Sequence, residues 1–207
     1  HLPSCDRGLF QNRSPVIETR DIVRGVFSVW RLAHFDPQGM KLVDSTMDGF
    51  WKSFFSAIIV LPGYVALMAL GRHSWPGEIA AAPLWRIVAI EGIAYVIAWV
   101  AFPLAMVVIA DLLDRREHYI GFIVAANWSA VVQIAVFLPT AAVYAAIGNS
   151  FALALYILVW SGLFVYAWFI ARTAMDINNL AAAGIVGLSF VLDVLIEGII
   201  GLMIASS

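Results

Sequence analysis

Residues Ala181 to Ser207 read AAAGIVGLSFVLDVLIEGIIGLMIASS. The stretch is long enough to cross a bilayer, which takes about 20 apolar residues, yet Asp193 and Glu197 lie in its interior. At i and i+4 the two acids share one helix face, and Ser189 and Gly201 extend it by a step each way. The remaining faces are Val, Leu, Ile and Phe. A carboxylate near the bilayer centre costs at least about 2.5–3.5 kcal/mol on insertion scales. Two on one stripe must face protein or water, so the rest of the chain is read as what surrounds them.

Composition agrees with a membrane setting. The chain has 207 residues, 62% of them hydrophobic and 13% charged, with a mean hydropathy of +0.90; a soluble domain is roughly 25% charged. A net charge of −2 and a pI near 6.1 give no reason to expect nucleic acid as a partner. Cys5 is the only cysteine, which excludes an internal disulfide framework and a cysteine-based zinc site. The first long apolar run starts about fifty residues in, behind a charged segment, so no cleavable signal peptide is expected. The chain opens with His1 rather than Met; its start is read as an added or processed end, and residues 1–13 are given no part in the fold.

Two regions follow: a cytoplasmic N-terminal segment, residues 1–49, and a transmembrane domain, residues 50–207. Ser14-Pro15 offers a helix start, hydroxyl as N-cap and proline at the first helical position. Ile22, Val26, Val29, Trp30 and Ala33 then form an apolar stripe with Arg20, Arg24 and Arg31 largely off it. This predicts an amphipathic helix, lying on the membrane with its arginines near anionic head groups or docked on the protein's own cytoplasmic face. Asp36-Pro37-Gln38-Gly39 is a turn or the cap of a short helix through Leu42. Ser45-Thr46-Met47-Asp48 is a capping signal ahead of the first crossing.

Five crossings are predicted by length and hydropathy. They run from Phe50 to Leu70 with a kink at Pro62-Gly63, Leu84 to Ala110, Tyr119 to Ile147, Phe151 to Ala171, and Ala181 onward. Trp51 and Lys52 are expected at the interface, and Gly148-Asn149-Ser150 at a tight turn. The fold class is all-α, a polytopic bundle with an amphipathic N-terminal helix. No internal repeat is visible, and an odd count argues against a simple inverted repeat. Small residues at Ala181, Gly184, Gly187, Ala141 and Ala145 are expected to make close helix contacts in the core.

Basic residues predict the orientation. Arg7, Arg13, Arg20, Arg24, Arg31, Lys41, Lys52, Arg115, Arg116 and Arg172 fall on one side, and only Arg72 and Arg86 on the other. The N-terminus is therefore expected in the cytoplasm of a bacterial-type inner membrane and the C-terminus outside. At about 1.5 Å of rise per residue, Glu197 lies roughly 12 Å below the outer end, Asp193 about 18 Å and Glu91 roughly 10 Å. Gln133 reaches about the depth of Asp193, and Asn127 sits deeper. The candidate polar site is thus Glu91, Gln133, Asp193 and Glu197, with Arg86 as candidate charge partner and His73 as another nearby cation.

Two readings of that cluster stand side by side. One is a proton or cation site reached from outside. The other is a structural knot, with Glu197 or Glu91 paired to Arg86 and Asp193 neutral or bonded to Gln133 and Ser161. Other chemistry is weaker. The charged loop Asp111–His118 fits a solvated cytoplasmic loop better than a metal or phosphate site. No histidine pair for haem, Gly-rich phosphate loop, G-x-S-x-G or H-E-x-x-H is present. No catalytic residue, metal or cofactor is expected.

The segments FDPQGMKLVDSTMDGFWKSFF (Phe35–Phe55) and FIVAANWSAVVQ (Phe122–Gln133) look like segments of small bacterial inner-membrane proteins. The plan of a cytoplasmic N-terminal region and five closely spaced helices resembles the Ypt/Rab-interacting five-span membrane proteins. That resemblance implies membrane organisation or partner binding, with lipid, another membrane protein or a second copy of the chain as partner. The polar cluster implies the alternative, a small proton- or cation-coupled transporter or channel.

Overall fold

Glu18 and Asp21 begin the first helix with a reciprocal cap, the Glu18 N–H donating to the Asp21 carboxylate at 3.2 Å. A computed structural model describes residues 17–71, 77 and 82–205; the start expected at Ser14-Pro15 lies outside them. Helix α1 spans Thr19–Ala33. Asp36 then caps a short 3₁₀ helix, Pro37–Leu42, by accepting the Gln38 N–H at 2.9 Å. Thr46 caps α2 (Met47–Ser53), its hydroxyl accepting from the Gly49 N–H at 3.1 Å.

Next come α3 (Phe55–Gly71), α4 (Leu84–Leu112), α5 (Tyr119–Ile147), α6 (Ser150–Met175) and α7 (Asn179–Ala205). Gly148, at φ 62°, turns the chain between α5 and α6, and the Asn149 side chain caps α6 through the Ala152 N–H at 2.9 Å. Five helical segments, with α2 and α3 counted as one, are long and apolar enough to cross a membrane. Between 6% and 22% of each segment's most apolar stretch is buried inside the chain. So much uncovered Val, Leu and Ile requires a lipid surround, and the chain is an integral, multi-pass, all-α membrane protein.

The first crossing is interrupted at Phe54, between α2 and α3, and Pro62-Gly63 lie inside α3. Serine chemistry accounts for it. The Ser53 hydroxyl donates to the Phe50 carbonyl at 2.7 Å and the Ser56 hydroxyl to the Ser53 carbonyl at 2.6 Å, competing with the backbone ladder. Lys52 bridges two carboxylates. Its ammonium lies 3.0 Å from Asp21 and 2.8 Å from Asp48, tying α2 to α1.

Helix α5 is the hub. Residues 121–125 and 127–129 are all buried, since α1, α2, α3 and α6 pack around this half of it. Here lies the main core, with Val29, Leu32, Phe122, Ile123, Trp128, Ile170 and Met175. The far half of α5 is exposed from Val143 onward. The bundle is therefore tight at the α1 end and looser at the other. Around it, α3 packs on α5, α5 on α6, α6 on α7, and α7 on α4. Two tyrosines close the circle between α3 and α4: Tyr64 donates to Glu91 at 2.9 Å and Tyr95 to the Ala57 carbonyl at 2.7 Å.

The crossings alternate in direction. Arg115 Nε donates to the Asp176 carbonyl at 3.2 Å, joining the α4–α5 and α6–α7 turns at the α1 end. Arg86 donates to the Met203 carbonyl at 2.5 Å at the opposite end.

Of the two expectations for α1, docking on the chain's own bundle describes one of its faces. One face docks on the bundle: Val29 and Leu32 are fully buried, Tyr166 donates to the Val29 carbonyl at 2.8 Å, and Gly25 lies flat on Trp128. Val23, Phe27 and Trp30 form a second, exposed apolar stripe. Arg24 donates to the Leu42 carbonyl at 2.8 Å, Arg31 pairs with Asp36, and Arg20 lies 3.3 Å from Glu18. Arg24 and Arg31 are thus engaged by the chain itself. One packing expectation is corrected. Gly184 and Gly187 are exposed, and a Cβ added at either would meet nothing within 4 Å. Helix α7 packs through Ala182, Ile185, Ile200 and Ile204 instead.

Candidate intramembrane polar site

Asp193 sits in the middle of α7 on the same face as the buried Ala182, Ile200 and Ile204, to which helical spacing relates it. That face points into the bundle. Yet Asp193 and Glu197 are both solvent-accessible, because at their level the interior is open space rather than packed side chain.

The open space is a line of adjoining cavities along α7. The first, about 390 Å³, lies between α3, α4 and α7 and is lined by Tyr64, Glu91 and Glu197. The second, about 270 Å³, shares Tyr64 and Glu197 with it and adds Tyr95 and Asp193. Beyond Asp193 the space divides. One branch, about 270 Å³, runs past Trp99 and Phe102 to Asn127 and Ser129. The other, about 320 Å³, runs past Phe137 to Trp160 and Phe164. Gln133, Ser189 and Asp193 line both branches.

The four predicted polar residues therefore fall along one path, although no single cavity holds them all. Glu91 and Glu197 share one chamber, Glu197 and Asp193 the next, and Asp193 and Gln133 the last two. Glu91 accepts from the Tyr64 hydroxyl. Gln133 donates to the Ser129 hydroxyl at 2.9 Å, within its own helix. Asn127, buried deeper, donates to Ser53 at 2.8 Å and joins α5 to α2.

The pairings of the structural knot are not the ones formed. Arg86 donates to the Met203 carbonyl, Ser161 is exposed, and Gln133 turns to Ser129. Asp193 and Glu197 have no hydrogen bond or ion pair with another described residue. His73 lies outside the described residues. Chemically, the path offers three carboxyl groups, two tyrosine hydroxyls and a few amides and hydroxyls, with no cation among its described lining residues. Such a site attracts protons or cations and repels anions.

Sequence reasoning did not single out Tyr64 and Tyr95. A signal for Tyr64 exists: it lies about as far from the end of α3 as Glu91 lies from the start of α4, so the two meet at one depth. In the Asp111–His118 loop, Arg116 pairs with Asp111 and His118 lies 3.1 Å from Glu117. Among the described residues no group of three His, Cys, Asp or Glu side chains is placed to hold a metal. No protein-family model, curated protein or solved structure matches the chain.

Proposed function

We propose that the chain conducts or transports protons, or another small cation, through the cavities along α7. The observation that carries this reading is the pair Asp193 and Glu197, accessible within the bundle and without a described cation to neutralise them. A carboxylate kept in a membrane only for structure is normally paired, because a buried unpaired charge is expensive. Asp193 is the central carrier in this reading. Glu197 and the Tyr64–Glu91 pair form the relay towards the end of the bundle where α7 finishes. The basic residues around α1 favour a bacterial inner membrane with the N-terminus in the cytoplasm.

Flux measurements test the proposal. Purified protein in liposomes with an entrapped pH dye should acidify or alkalinise the lumen under an imposed potential faster than protein-free liposomes do. Asp193→Asn should remove that excess while the variant still elutes as a folded particle. Flux that is unchanged in Asp193→Asn and in Glu197→Gln would refute the assignment.

A structural or partner-binding role, as the resemblance to five-span membrane-organising proteins implies, is the second reading. The open glycine face of α7 at Gly184 and Gly187 favours it, since small uncovered residues admit another helix closely. That reading expects Asp193→Asn to be neutral in every assay.

A further inference from the structure

Around Asp193 the two inner branches differ from the outer chambers in what lines them. One branch brings Trp99 and Phe102 to the carboxylate's surroundings, and the other brings Phe137, Trp160 and Phe164. The rings are fixed by one another: Trp160 stands edge-on to Phe164 at 4.5 Å and Phe102 packs on Phe122 at 6.0 Å. At about 270 and 320 Å³, each branch has far more room than a proton relay needs, since one water occupies about 30 Å³ of liquid.

The lining also sorts ligands by charge. An inorganic divalent ion wants several hard oxygen ligands, whereas the two inner branches carry Asp193 as their one carboxylate, Glu197 lying in the adjoining cavity, and no described cluster suits a metal. An anion would meet Asp193 without a described cation in the lining. A neutral hydrocarbon would leave the carboxylate uncompensated. A carboxylate beside several aromatic side chains suits a positive charge carrying apolar groups, since ring faces attract ammonium ions.

We infer that the chamber around Asp193 binds a hydrophobic organic ammonium ion, its charge at Asp193 and its apolar groups in the aromatic branches. This rests on the reading of Asp193 as a cation-binding acid and names the class of cation.

The test uses the purified protein in lipid nanodiscs with benzyltrimethylammonium as probe and neopentylbenzene, its neutral isostere, as control. Binding is read by calorimetry. The ammonium should bind at least about tenfold more tightly than the isostere. Asp193→Asn should erase that preference, Asp193→Glu should keep it, and Trp160→Leu should weaken ammonium binding severalfold. Glu117→Gln, an exposed loop acid outside the path, should bind as the unaltered protein does. Equal affinity for the two probes, or an undiminished preference in Asp193→Asn, overturns the inference. Asp193-dependent proton flux in liposomes without ammonium preference overturns this inference and leaves the proton pathway standing. Ammonium binding without flux does the reverse, supporting the chamber and sinking transport.

Discussion

The Tyr64 hydroxyl donates to Glu91 Oε2 at 2.9 Å, from α3 to α4. With the Tyr95 bond to the Ala57 carbonyl, it closes a circle whose other seams are formed by helices packed directly on one another. Tyr64→Phe removes the donor and leaves a carboxylate inside the bundle with its partner gone. That costs about 1–3 kcal/mol. Glu91→Gln keeps an acceptor for Tyr64 and should cost much less. Thermal unfolding in detergent should rank the variants in that order, and equal midpoints would mean that the bond does not hold the seam.

Gly25 lies on the ring of Trp128, and a Cβ there would come within 2.5 Å of it. Trp128 is 3% exposed, in the most tightly packed part of α5, so the ring has no room to yield. Gly25→Ala should therefore lift α1 from the bundle, at a cost of about 1–3 kcal/mol. Faster protease cleavage near α1, with the crossings intact, is the expected result. A cleavage rate equal to that of the unaltered chain would show that the ring moves aside.

The five crossings could be read from the sequence to within a few residues, because hydropathy over a span of bilayer thickness is a strong signal and the capping residues at 45–48 and the turn at 148–150 mark where helices start. Helical rise alone brought Glu91, Asp193 and Glu197 to similar levels, and they line adjoining cavities. Their partners did not follow from it. Arg86 was expected to seek a carboxylate, but it lies beside the end of α7 and donates to the Met203 carbonyl there. Gly184 and Gly187 misled as well. Small residues show that a helix can be approached closely and say nothing of whether the neighbour lies in the same chain.

Acid should undock α1 only well below neutrality. At Asp21 burial raises the pKa, but the hydrogen bond and charge of Lys52 outweigh it, and the carboxyl stays below its ordinary value. A group whose folded pKa is depressed contributes stability above its unfolded pKa, about 3.9, and loses it as pH falls through the folded value. Hydrogen exchange of α1 amides should thus show unchanged protection, corrected for intrinsic rates, from pH 8 to 5, and weakened protection below about pH 4. Asp21→Asn should behave at pH 7 like the unaltered chain in acid. Loss of protection between pH 7 and 5 would assign the docking to some other group.

If all five apolar helices cross, the chain's N-terminal and C-terminal sides face opposite sides of a membrane, and the proposed orientation, drawn from ten basic residues against two, has the N-terminus in the cytoplasm. Cys5 is the only cysteine, so it reports the N-terminal side without alteration. A second protein with Cys5→Ser and Ser206→Cys reports the other. A membrane-impermeant maleimide should label the Ser206→Cys protein in intact spheroplasts and leave Cys5 unlabelled, and inverted vesicles should give the opposite pattern. Labelling of both from one side would mean that one of the five helices does not cross. A clean reversal would keep all five crossings and invert the pathway, placing Glu91 and Glu197 towards the cytoplasm rather than towards the outside.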